Sequence, residues 1–110
     1  MENAKETTQE TNLLKSDTLF VIGEEPKHIQ PPVGCESYSL KELQDFVGGY
    51  IQILPLKDKY LVLNEEGKIN GLPVNIQATQ VWRDILAEDD IVLQDHIVGN
   101  ALMVDKFRIE

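Results

Sequence analysis

The chain alternates short apolar runs with polar turn clusters, and the period of its apolar positions changes along its length. Thr18–Ile22 is a continuous β-branched and aromatic run stopped by Gly23, which predicts a strand at an inner position of a sheet. The stretch EEPKHIQPPVGCESY holds Pro26, Pro31, Pro32 and Gly34, which forbid a long regular element; His28 and Ile29 are expected in a brief extended piece. From Ser39 the period becomes helical. Ser39 followed by Glu42 is a capping-box pattern, and Leu40, Leu43, Phe46 and Val47 make one apolar face. Gly48 ends that helix, and Gly49 lets the chain turn directly into a strand. Tyr50–Leu56 and Tyr60–Leu63 are two strands joined by Lys57-Asp58-Lys59, an antiparallel hairpin, with Pro55 expected at a sheet edge or bulge.

Asn64-Glu65-Glu66-Gly67 has the residues of a type I turn, with Gly67 expected at positive φ. Lys68-Ile69-Asn70 reads as a third short strand, Asn70-Gly71 as another turn and Leu72-Pro73-Val74 as extended chain. Asn75 is the expected N-cap of a second helix from about Ile76 to Leu86, where Ala78, Val81, Trp82 and Ile85 form one buried face. After an acidic loop at Glu88-Asp89-Asp90 and a turn at Gly99-Asn100, Ala101–Val104 is the last strand, with Phe107 and Ile109 extending it. The predicted class is α+β: a mostly antiparallel sheet of about four to six strands, with two helices on one face, since each helix has a single apolar side.

The length, 110 residues, supports one domain. Residues 1–17 are polar and nearly free of apolar anchors, which predicts a disordered tail, and residues 18–110 form the single domain. The first residues, MENAKETTQETN, have no apolar core of a signal peptide, and the longest apolar runs, four residues, cannot span a bilayer. With 19 acidic against 10 basic residues, the net charge is −9, which repels nucleic-acid backbone and anionic membrane. The single Cys35 cannot form an internal disulfide and suits a reducing compartment, so a cytoplasmic location is expected.

Chemistry-bearing residues are sparse. His28 and Cys35 lie seven apart with no partner at ligand spacing, and His96 is the other strong donor, so no metal site is expected. Neither histidine sits in a catalytic motif, and no Walker, Rossmann or zinc-finger pattern occurs, so no catalytic residue and no cofactor are assigned. Glu65 and Glu66 are consecutive on a turn and are expected to point apart.

Residues Tyr38–Asp105 resemble a small family of phage- and plasmid-borne domains catalogued as domain of unknown function 3846. The resemblance rests on S-L-x-x-L-Q from Ser39, V-G-G-Y-I from Val47, L-V-L-N-E-E-G-K from Leu61, G-L-P-x-N at Gly71–Asn75, A-T at Ala78-Thr79 and I-V-G-N-A-L at Ile97–Leu102. It covers roughly two thirds of the chain. Similar proteins often carry Asp after the late glycine, where this chain has Asn100. The resemblance implies a mobile-element origin and an intracellular setting, and it implies no reaction or substrate.

Two readings follow. In the first, the domain is a non-catalytic interaction or regulatory module that binds a host or self-encoded protein, its acidic surface suiting a basic partner. In the second, it is a small-ligand or nucleotide-binding protein, with homo-oligomerisation as an option, and Asn64, Glu65, Glu66, Lys68, Asn75 and Thr79 supply the polar groups. Turn and capping duty is the competing role for Asn64 and Asn75.

Overall fold

A computed structural model describes residues 17–91 and 94–109. In chain order these form β1 (Asp17–Phe20), β2 (Lys27–Ile29), α1 (Leu40–Val47), β3 (Ile51–Leu56), β4 (Lys59–Asn64), α2 (Ile76–Ala87), β5 (Ala101–Asp105) and a 3₁₀ turn, Lys106–Arg108. The strands make one sheet of order β2-β1-β5-β4-β3, every pairing antiparallel. Of the expected tail, residues 1–17, all but Asp17 lie outside the described residues, and Asp17 is buried as the first residue of β1. β1 starts at Asp17, one residue before the expected strand, and its pairing ends at Phe20.

Each local signal has a visible cause. Ser39 Oγ accepts from Glu42 N at 3.1 Å while Ser39 N donates to Glu42 Oε1 at 2.8 Å, closing the capping box of α1. Gly48, at φ 79°, caps the other end. β3 and β4 are joined by Lys57 and Asp58, Leu56 pairing with Lys59. In such a two-residue hairpin the closing pair is hydrogen-bonded, so Pro55, opposite Tyr60, falls in the next, non-bonded pair. Its missing N–H therefore faces the free edge of the sheet and breaks no ladder bond.

The two helices cover opposite faces, which corrects the expectation of one. Leu61, Leu63, Ala101, Met103 and Phe20 pack with Ala78 and Trp82 of α2. Their strand neighbours Val62, Leu102, Val104 and Leu19 pack with Leu43 and Val47 of α1. Successive strand residues point to opposite faces, so the central strands must be apolar on both sides. The continuous runs of β1, β4 and β5 satisfy that need; Val62, Ala101, Leu102 and Val104 are wholly buried.

Two turn-level expectations also change. Lys68–Asn70 forms turns, not a strand, with Asn70 N donating to Glu66 O and Leu72 N to Gly67 O, each at 2.9 Å. It cannot return beside β4, which already has β3 and β5 as neighbours. The turn bond from Gly67 N to Asn64 O is present at 3.2 Å, but Gly67 is not among the glycines with positive φ; Gly71 is, at 68°. Close packing fixes Gly67 instead: a Cβ there would lie 2.8 Å from Val98 Cγ2. Gly67→Ala is therefore expected to lower stability by about 1–2 kcal/mol through overpacking, measured as a shift in the urea midpoint, and Val98→Ala in the same chain should recover part of it.

Candidate functional site

Three asparagines sew the same end of the sheet together. Asn75 Oδ1 accepts from Ala78 N at 3.1 Å, the N-cap bond of α2, and its Nδ2 donates to Phe20 O at 3.0 Å and Gly99 O at 2.9 Å. Asn64 Oδ1 accepts from Glu66 N at 2.8 Å, and Nδ2 donates to Val47 O at 3.2 Å. Asn100 Oδ1 accepts from Ile22 N at 3.0 Å, and Nδ2 donates to Phe46 O at 3.3 Å. Thr79 Oγ1 accepts from Ile97 N at 2.9 Å. The double glycine belongs to this arrangement, since a Cβ on Gly49 would sit 2.9 Å from Asn64 Nδ2.

The turn after β4 separates two concavities. On the α1 side, Asp45, Gly49, Tyr50, Asn64, Glu66 and Asn70 line an open cleft of about 460 Å³. On the α2 side, Leu54, Leu63 and Trp82 line a smaller pocket of about 290 Å³, rimmed by Glu65, Lys68 and His96. Glu65 and Glu66 thus point apart, into different clefts.

The six sequence candidates do not form one cluster. Asn64 borders both concavities, Glu65 and Lys68 border the α2-side pocket, and Glu66 faces the α1-side cleft. Asn75 and Thr79 are buried, with their polar atoms spent on backbone partners. Asn75 also borders a third groove, beside Val21–Glu25.

The pocket rim is electrostatically tied. Lys68 Nζ pairs with Asp95 Oδ1, and the same oxygen accepts from His96 N at 2.8 Å. The Lys68 hydrogen bond, then the His96 N–H, hold the Asp95 carboxyl below the usual carboxylate range. Arg83 Nε and Nη2 donate to Asp95 O at 3.2 and 2.7 Å, anchoring the segment to α2. Glu65 and Glu66 have no ion pair among the described residues.

Sequence reasoning missed Gln52, Asp95 and His96 as pocket residues, and Tyr50 and Asp45 as cleft residues. Trp82 carried a periodic signal as a core residue; it is both, packed in the core and bordering the pocket. Asp95 and His96 stand in irregular chain, where no period marks them. Among the described residues, no three His, Cys, Asp or Glu side chains are grouped to hold a metal ion, and no helix is long and apolar enough to cross a membrane.

A family model described as Domain of unknown function (DUF3846) matches residues 19–108. No curated protein and no solved structure matches the chain.

Proposed function

The chain belongs to the family described as Domain of unknown function (DUF3846), and from that premise we propose that it is a non-catalytic interaction module taking a basic segment of a partner protein into the α1-side cleft. The observation that carries this reading is the lining of that cleft. Glu66 lines it without an internal cation, Asp45 lines it too with its carboxylate 3.4 Å from the exposed Lys41 Nζ, and Tyr50 beside them is 67% exposed. The unpaired Glu66 carboxylate and an exposed aromatic ring offer a Lys or Arg head both charge pairing and a cation–π face, and Asp45, held only in an exposed surface pair, adds negative charge beside them. The net charge of −9 would draw such a partner in and speed its encounter. The partner would be a protein of the host or one encoded alongside the domain, met in the cytoplasm of a cell carrying the mobile element.

The cleft's geometry favours a protein segment over a reaction. It is open, and the buried Asn64 amide is already committed to the fold, donating to Val47 O and accepting from Glu66 N. His28 and His96 lie outside it. The test is binding of an Arg- and Lys-rich peptide, followed by calorimetry at low and high salt. Glu65→Gln with Glu66→Gln should weaken binding by about tenfold, a loss of about 1.4 kcal/mol, while the melting temperature stays within about 2 °C because exposed turn carboxylates do little for folding. Asp89→Asn with Asp90→Asn removes the same charge beyond the far end of α2 and should leave binding nearly unchanged. Equal weakening by both pairs would reduce the effect to net charge and sink the cleft reading.

A further inference from the structure

We propose that the α2-side pocket is a separate binding site for a small heteroaromatic ligand that is uncharged or singly cationic, seated against the indole of Trp82. Trp82 is only 7% exposed, yet its indole N–H has no hydrogen-bond partner among the described residues. The N–H is not wholly enclosed; among the described residues, the enclosed side-chain polar atom without a hydrogen-bond partner is Arg108 Nε. A donor that is nearly buried, unpaired and still reachable is what an acceptor-bearing ligand would satisfy, and buried polar groups otherwise find partners.

The surroundings fix the ligand's class. Leu54 and Leu63 supply an apolar floor, and Ile69 stands at the mouth 84% exposed, an apolar side chain given to water where a ligand would cover it. The volume, about 290 Å³, lies at the lower end of small-molecule sites and limits the occupant to one ring system with a short substituent. Charge excludes phosphate. Lys68 is already paired with Asp95, and Glu65 adds an unpaired negative charge to the rim, so an anion would find no free cation there.

The chain's single tryptophan makes the site its own reporter. Adenosine serves as the uncharged probe, tryptamine as the cationic one and adenosine monophosphate as the anionic one. Titration is followed on the indole N–H resonance and by calorimetry. Adenosine or tryptamine should shift that resonance with a dissociation constant at or below about 1 mM, and adenosine monophosphate should bind at least about tenfold more weakly than the better of the two. Ile69→Ser, a change at an exposed position, should weaken the better probe about threefold to tenfold with the fold intact. Trp82→Phe, read by calorimetry, should weaken it similarly by removing the donor.

Glu66→Gln, which faces the other cleft, should leave the probe's affinity unchanged while weakening the basic peptide, so the two sites fail or stand separately. A resonance unmoved by either probe would overturn the proposal. So would monophosphate binding as tightly as the better probe, or full affinity retained in both Ile69→Ser and Trp82→Phe.

Discussion

Asp17→Asn is expected to destabilise the protein by about 3 kcal/mol, the scale seen when one partner of a buried ion pair is removed. Asp17 opens β1 and is 2% exposed. Its Oδ2 accepts from Tyr38 OH at 2.8 Å and lies 3.2 Å from Arg108 Nε, which meets it as an ion-pair partner without an aligned hydrogen bond. Its Oδ1 is 3.4 Å from the Asp105 N–H it accepts. One carboxylate therefore links the first strand, the entry to α1 and the 3₁₀ turn after β5. Asparagine fits the same space but withdraws the charge, and it leaves Arg108, with a side chain only 25% exposed, uncompensated. Urea denaturation should show a lower midpoint at unchanged slope. A loss under about 1 kcal/mol would mean that water solvates Arg108 and that the cluster is an ordinary surface pair.

The same cluster sets an alkaline limit. Burial first, and then the Asp17 hydrogen bond, push the Tyr38 hydroxyl well above its ordinary value. The unfolded chain ionises this group near pH 10, about its unperturbed value, while the folded protein holds its proton. The contribution is thus fully present below about pH 10 and drains away above it, by at most about 1.4 kcal/mol per pH unit for one proton. Tyr38→Phe should lose about 1 kcal/mol at neutral pH for the missing hydrogen bond and decline less steeply than the parent above pH 10. Parallel curves for the two proteins between pH 9 and 11 would show that Tyr38 does not carry the alkaline loss.

Signals confined to one element were legible in the sequence. Ser39 with Glu42, Asn75 before an apolar-periodic run, and the β3–β4 hairpin each announce a local hydrogen bond, and each bond is present. Signals whose meaning depends on a neighbour were not. The apolar faces of α1 and α2 say that each needs a sheet surface, but not which one. The deciding clue lay in β1, β4 and β5, whose uninterrupted apolar runs require cover on both sides. Gly67 was read by turn type, although its constraint comes from Val98, 31 residues further on. The pocket was hidden for the same reason: Glu65, Trp82 and His96 meet only once the sheet exists. In the sequence, Asn64 reads as a turn residue and Asn75 as a helix cap, each a candidate polar group for a site. Only the fold shows Asn64 bordering two clefts while Asn75 is spent internally.

Asn75→Ala is expected to be the other severe change, at about 3 kcal/mol. The cap bond to Ala78 N accounts for about 1 kcal/mol, and the buried carbonyls of Phe20 and Gly99 lose their donor, about 1–3 kcal/mol for each group left unsatisfied. Asn75→Asp separates these roles. Aspartate caps a helix as well as asparagine does, so Ala78 N keeps its acceptor. The carboxylate, however, has no donor for Phe20 O and Gly99 O, which lie 3.0 and 2.9 Å from the amide nitrogen it replaces. Confronting two carbonyl oxygens in a site 3% exposed disfavours the ionised form and raises the group's pKa above its unfolded value. Stability in this variant is then best where the carboxyl is protonated and can donate one of the lost bonds, and it falls as pH rises through the raised value. Denaturation of the three proteins at pH 4 and pH 7 decides the matter. Relative to the parent, the Asp variant should be at least as weak as the Ala variant at pH 7 and should recover at pH 4, while the Ala deficit stays constant. An Asp variant as stable as the parent at pH 7 would show that Asn75 serves α2 only as a cap and that its ties to β1 and Gly99 contribute little.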